Sequence, residues 1–157
     1  MNKINYVFND ESLLELALTQ SGADSHNNNE RLEFIGDRVL GLSIATLLFD
    51  MYPNETEGEL ARRHAMLVST ETLGNVAEEL GLGKMIKHGH MTAGRVKHML
   101  ANAMEAVLGA IYLDGGFTSA KEFVKSFIMN DLENKKLFYD SKTILQEVVQ
   151  ANFKKEE

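Results

Sequence analysis

Residues 29–51, NERLEFIGDRVLGLSIATLLFDM, limit what this chain can become more than any other segment. They contain no proline, and Tyr52-Pro53-Asn54 closes the run. Leu32, Ile35, Val39, Leu42 and Ala45 recur at helical spacing and predict a buried stripe on one long helix, with Asn29 as its N-cap. Three carboxylates, Glu30, Glu33 and Asp37, share that helix. At about 100° per residue they fall within roughly 60° of one another. Leu32, Phe34 and Ile35 lie between them and are expected to face the core. Like charges on one stripe repel, so the helix alone gains nothing from them. A cation held between them and further acids turns that cost into a site. Glu105, three residues after Asn102 in LANAMEAVLGAIYLDGG, is such an acid. Flanked by Ala103, Met104, Ala106, Val107 and Leu108, it is expected to be partly buried, and so paired or metal-bound.

The rest of the chain reads as helices and short connections. Asp10 caps a first helix reaching about Thr19, and Gly22 to Asn28 is a polar loop. A third helix starts at Thr56 or Glu57 and runs to Val68, and a fourth spans Thr70 to Leu80, where Gly81 stops it. Gly83 to Gly94 is irregular, with Lys87, His88 and His90 as loop residues. A helix over Arg95 to Leu113 ends at Asp114-Gly115-Gly116, and Thr118 or Ser119 caps the next, to about Leu132. Met66, Met85, Met91, Met99 and Met104 read as core or interface filler. No segment has the alternation of a strand, so the fold class is all-α.

Composition narrows the function. The chain has 157 residues and a formal net charge of −7, which argues against a simple nucleic-acid binder. Residues 1–134 carry 11 basic and 19 acidic side chains, and residues 135–157 carry five lysines and four acids. Such an acidic domain meets phosphate only with help from divalent ions and local basic patches. With no cysteine there are no disulfides or thiolate metal sites. MNKINYVFND lacks the apolar core of a signal peptide, and the apolar run from Val39 to Phe49 is too short to span a bilayer. The expected setting is cytoplasmic, without a membrane partner.

NERLEFIGDRVLG resembles the signature of ribonuclease III, the endonuclease family that cuts double-stranded RNA. FNDESLLELALTQSG, EGELARRHAMLVS, LGLGKMIKHG and LANAMEAVLGAIYLDGG resemble further family segments in the family's order, from about Phe8 to Phe127. The resemblance implies an all-α, dimeric nuclease domain over residues 1–134. It also implies Mg²⁺-dependent hydrolysis of double-stranded RNA, with Mn²⁺ able to substitute. Glu33, Asp37, Asn102 and Glu105 match the family's metal-binding positions, Glu30 the other signature acid, and Glu57 an acid implicated in catalysis. Phe34 matches an aromatic that plugs a pocket on the partner subunit of a homodimer, against the simpler reading of a core Phe. Implied tasks are processing of ribosomal RNA precursors and messenger RNA, and turnover of structured RNA. Two positions depart from the usual pattern: Gln20, where His is more usual, and Asn102, where Asp is. An amide oxygen can ligate Mg²⁺ but brings no charge, so weaker metal binding is expected. Residues 135–157 resemble a linker and the first helix of a double-stranded-RNA-binding domain, with KTILQEVVQ as the recognisable part and Ile144, Val148 and Val149 as its apolar face.

Plainer readings stand beside these. Three acids on a helix face are ordinarily a solvated face. Glu57 at a helix start is favoured by the dipole alone. Arg62, Arg63 and His64 could touch phosphate or simply face water. The alternative to an active nuclease is a catalytically weakened or inactive RNA-binding or dimerisation domain, because Asn102 is neutral.

Overall fold

The computed structural model describes the backbone of residues 3–153 and the side chains of residues 3–129. Five α-helices carry the described chain: α1 (Glu11–Ala17), α2 (Glu30–Met51), α3 (Glu57–Leu67), α4 (Thr70–Glu79) and α5 (Val96–Phe153). Short 3₁₀ turns at Leu82–Lys84 and Ala93–Arg95 connect α4 to α5. Among the described residues there is no strand, only an isolated bridge between Thr19 and Lys87. The domain is all-α.

Local chemistry fixes the boundaries. The Asp10 carboxylate accepts from the Ser12 N–H and caps α1. Thr56 and Glu59 form a reciprocal capping box at α3. Ser69 caps α4 by accepting from the Thr72 N–H. Gly81, at φ 74°, turns the chain out of α4 in the left-handed region. The break expected at Gly115-Gly116 occurs at Gly116 (φ 84°, ψ 179°), but no loop follows it. The helical path resumes at once and runs on to Phe153, past the stop expected near Leu132. How Ile144, Val148 and Val149 are placed lies outside the described side chains.

The core forms where α2 and α4 pack on α5. Leu40, Ile44, Leu48, Leu73, Met104, Val107, Leu108 and Ile111 are almost fully buried, each contributing about 1.5–3 kcal/mol of burial free energy. The buried face of α2 is not quite the stripe expected. Leu32, Gly36, Val39, Leu40, Ser43, Ile44, Leu47 and Leu48 are buried, while Leu42 and Ala45 are exposed. Phe34 is exposed too, so it is not a core residue. The helix is apolar on two faces, and the face seated on α5 is the one with small residues at the crossing. Asn29 also departs from expectation. Its side chain does not cap α2; its amide donates to the Ala17 carbonyl at 3.1 Å, and its N–H donates to the Thr19 carbonyl at 2.8 Å. This buried tie sets where α2 leaves α1. Asn28 supplies the acceptor for the first N–H of α2, at 3.1 Å.

Candidate active site

Two glycines decide where the acids of α2 meet those of α5. A methyl group on Gly36 would run into the Glu105 carbonyl oxygen, and one on Gly109 into the Leu32 carbonyl oxygen. The helices therefore cross backbone against backbone, closer than ordinary side chains allow. The turns beside the crossing carry Glu33 and Asp37 on α2 and Asn102 and Glu105 on α5. Together with Glu30, Phe34 and Arg38 these four line one open cavity of about 560 Å³. The sequence-expected metal positions are thus brought together. Glu57 is not: it is the exposed first residue of α3 and does not line this cavity.

The cavity is electrostatically unsatisfied. Glu105 is half-buried, and desolvation pushes its carboxyl up to about 7, with repulsion from Asp37 and Glu33 adding to the shift and Arg38 opposing it. Burial also raises Glu33, helped by Glu30 and Asp37. Arg38 is the local cation. It pairs with Asp37 at 2.7 Å, and its guanidinium lies over the Phe34 ring at 4.3 Å. That pair is exposed and holds Asp37 only loosely. Among the described residues no three His, Asp or Glu side chains converge into a closed metal cage. An open arrangement of oxygen donors still suits a hard, hydrated cation, because Mg²⁺ keeps several waters and needs only one or two carboxylates.

The basic residues of α3 have other work. Arg63 grips Glu55 through two bonds, at 2.7 Å and 2.5 Å, and stacks on Tyr52 at 3.9 Å. The His64 imidazole bonds the Gly41 carbonyl at 2.9 Å and so ties α3 to α2. Arg62 stays exposed. What sequence reasoning missed is a second cavity bordering Asn102, lined by Gln20, His90, Arg95 and His98. Its residues come from three separate segments, and no local spacing announces them.

Helices crossed at glycines, with acids gathered beside the crossing, make an open pocket of oxygen donors. Comparison with known proteins gives the class of protein. The family model described as Ribonuclease-III-like matches residues 10–132. Ribonuclease 3 of Alcanivorax borkumensis is 42% identical, over 96% of this chain and 69% of that protein. Ribonuclease 3 of Clostridium acetobutylicum is 41% identical, over 98% of this chain and 71% of that protein. Among solved structures, the nuclease domain of ribonuclease III from Campylobacter jejuni superposes with a TM-score of 0.73 at 35% identity, covering 81% of this chain and 92% of that one. Dicer from Pichia stipitis matches with a TM-score of 0.67 at 26% identity, covering 87% and 62%. The chain belongs to the ribonuclease III family, the endonucleases that cut double-stranded RNA.

Proposed function

We propose that this chain hydrolyses phosphodiesters of double-stranded RNA at the acid-lined cavity, using Mg²⁺ held by Glu33, Asp37 and Glu105 with Asn102 as a neutral fourth donor. The observation that carries this reading is Glu105, a carboxyl raised to about 7 first by its burial and then by facing Asp37 and Glu33, with Arg38 offsetting only part of it, at the wall of the acid-lined cavity. A bound Mg²⁺ supplies an activated water and neutralises charge on the phosphate. The protein's own part is to hold oxygen donors on two rigid helices and to exchange the Glu105 proton for the ion. Mn²⁺ substitutes, because it accepts mixed ligands more readily. Glu57 is left to complement the N-terminus of α3.

The proposal extends to a homodimer. The Campylobacter jejuni nuclease domain has a structurally flexible region involved in dimer formation. Here Phe34, Leu42 and Phe49 are 62%, 58% and 72% exposed. At about 100° per residue they lie within about 80° of one another, forming an apolar stripe on the open face of α2. Beside Phe34 lies a cavity of about 780 Å³ lined by Leu13, Leu16, Ile35 and Leu113. A two-fold partner would offer its own Phe34 to that cavity. Two cavities related in this way cut both strands of a duplex and leave staggered ends. Shape and 2′-hydroxyls, rather than base edges, would recognise such a substrate. The cellular work that fits is cytoplasmic processing of ribosomal and messenger RNA and turnover of structured RNA. Residues 135–157 are proposed as the start of a second, RNA-binding domain. Among the described residues no helix is long and apolar enough to cross a membrane.

Titrating Mg²⁺ against cleavage of a long RNA duplex tests the reading. Asn102→Asp restores a negative ligand and is expected to lower the Mg²⁺ midpoint. An identical midpoint and maximal rate would remove Asn102 from the metal site. No cleavage by the parent at any Mg²⁺ or Mn²⁺ concentration, with activity in Asn102→Asp, would favour the inactivated domain instead. Sedimentation should show a dimer that Phe34→Ala weakens.

A further inference from the structure

The acid-lined cavity has a neighbour of opposite character. A second cavity of about 450 Å³ is walled in part by Gln20, His90, Thr92, Arg95, His98 and Asn102, and among the described residues no carboxylate lines it. Asn102 lines both cavities. One wall is pinned by backbone bonds between separate loops. The Gln20 N–H donates to the Lys87 carbonyl at 2.9 Å, and the Lys87 N–H donates to the Leu18 carbonyl at 2.8 Å. Gly89 lies so close to the Gly22 carbonyl oxygen that a methyl there would approach it to 2.5 Å. The other wall is the 3₁₀ turn ending at Arg95 and the first turns of α5, where Arg95, His98 and Asn102 follow helical spacing.

In this acidic chain, several cations are already committed. Arg38 pairs with Asp37, Arg63 with Glu55 and Lys87 with Glu15. Among the described residues the Arg95 guanidinium takes part in no ion pair. It is exposed, and a guanidinium carries five donors.

We propose that this second cavity seats a backbone phosphate of the RNA strand beside the one reacting in the acid-lined cavity. The inference rests on reading that cavity as the cleavage site. Arg95 supplies the charge and a planar fork that matches phosphate oxygens. His98, Thr92 and Gln20 add hydrogen-bonding capacity around it. Asn102 makes the boundary work for both neighbours. Its amide has an acceptor for the cation side and two donors for the phosphate side, whereas a carboxylate there would set a negative charge against the seated phosphate. The neutral side chain that weakens metal binding on one side therefore strengthens anion binding on the other.

Binding of the full chain to a long RNA duplex, without divalent metal and at several salt concentrations, reads the seat apart from catalysis. Arg95→Gln is expected to bind about 10-fold more weakly at low salt and to lose about one unit of salt slope, with its melting temperature unchanged. A second measurement uses duplexes with a single neutral methylphosphonate scanned around the cleaved bond. One position should weaken the parent by a similar factor and leave Arg95→Gln unaffected. Asn102→Asp should also bind the unmodified duplex more weakly without metal. Unchanged affinity and slope in Arg95→Gln would overturn the proposal. So would equal responses of both proteins to every methylphosphonate, or a parent chain with no measurable affinity for the duplex. A parent that binds the duplex and shows this pattern, yet never cuts it with Mg²⁺, would sink the cleavage reading and leave the phosphate seat standing.

Discussion

Glu105 and Asp114 are carboxylates nine residues apart on α5, and the fold treats their charges in opposite ways. Asp114 is surrounded by donors. Its oxygens accept from the Tyr6 hydroxyl at 2.8 Å, the Asn9 N–H at 2.8 Å, the Asp10 N–H at 2.9 Å and the Asn9 amide at 3.5 Å. Those bonds, the Asn9 N–H foremost, hold its carboxyl below the usual range and clamp the N-terminal segment to α5 just before its break at Gly116. Glu105 has burial and two carboxylates instead, and is pushed up to about 7. A side chain that serves the fold is satisfied by the fold. A half-buried acid left facing other acids is stable only because something else, a proton or a cation, completes it.

The harshest way to break the comparison is to separate the helices that create it. Gly36→Ala drives a methyl into the Glu105 carbonyl, a backbone group that cannot swing aside. It is expected to cost about 3 kcal/mol or more, at or beyond the upper end for overpacking, and to abolish cleavage with the fold's stability. Chemical denaturation and a cleavage assay check both. A gentler change isolates the charge. Glu105→Gln keeps the shape, removes the repulsion and should leave the melting temperature equal or higher. Outer-shell partners of a metal are worth about 10–100-fold, so losing a direct donor should reduce Mg²⁺-dependent cleavage by more than about 100-fold. Cleavage retained with the same metal requirement would exclude Glu105 from the site.

Stability against pH sharpens the contrast further, because the two carboxylates have opposite signs. Asp114, with its pKa lowered, contributes stability at neutral pH that is lost as pH falls through its folded pKa. Glu105, with its pKa raised, binds its proton more tightly in the fold, so its contribution falls as pH rises from the usual Glu range through about 7. Melting curves without metal should show Glu105→Gln flattening the decline between those limits. Asp114→Asn should lower the melting temperature by a few degrees at pH 7 and remove part of the acid-side loss. It should change the Mg²⁺ requirement little, since Asp114 does not line the acid cavity.

Much of this was legible in the sequence, and what was not has definite causes. The helices and the gathering of Glu33, Asp37, Asn102 and Glu105 follow from periodicity and from the family resemblance. The buried stripe of α2 was misjudged at Leu42 and Ala45 because both faces of that helix are apolar. Periodicity finds the faces and cannot say which meets α5. Burial of Leu32, Gly36, Leu40 and Leu47 is decided at the glycine crossing, a contact between residues far apart in the chain. The Thr56–Glu59 capping box is written in the sequence as Thr-x-x-Glu, which places the N-cap at Thr56. Asn29 looked like a cap and is a buried tie, since its acceptor on α1 exists only in the folded chain. The basic cavity was invisible for the same reason: Gln20, His90 and Arg95 meet only after two loops zip together.

Proton release on metal binding tests the central claim most directly. If Glu105, raised to about 7, gives up its proton when the ion binds, Mg²⁺ titrated into the parent near pH 7 releases roughly half a proton per site, because the group is then half protonated. Release should shrink as pH rises above that value, and Glu105→Gln should release almost none while binding Mg²⁺ more weakly. Calorimetry in buffers of different ionisation enthalpy measures it. Equal proton release and equal Mg²⁺ affinity in the parent and Glu105→Gln would contradict the account.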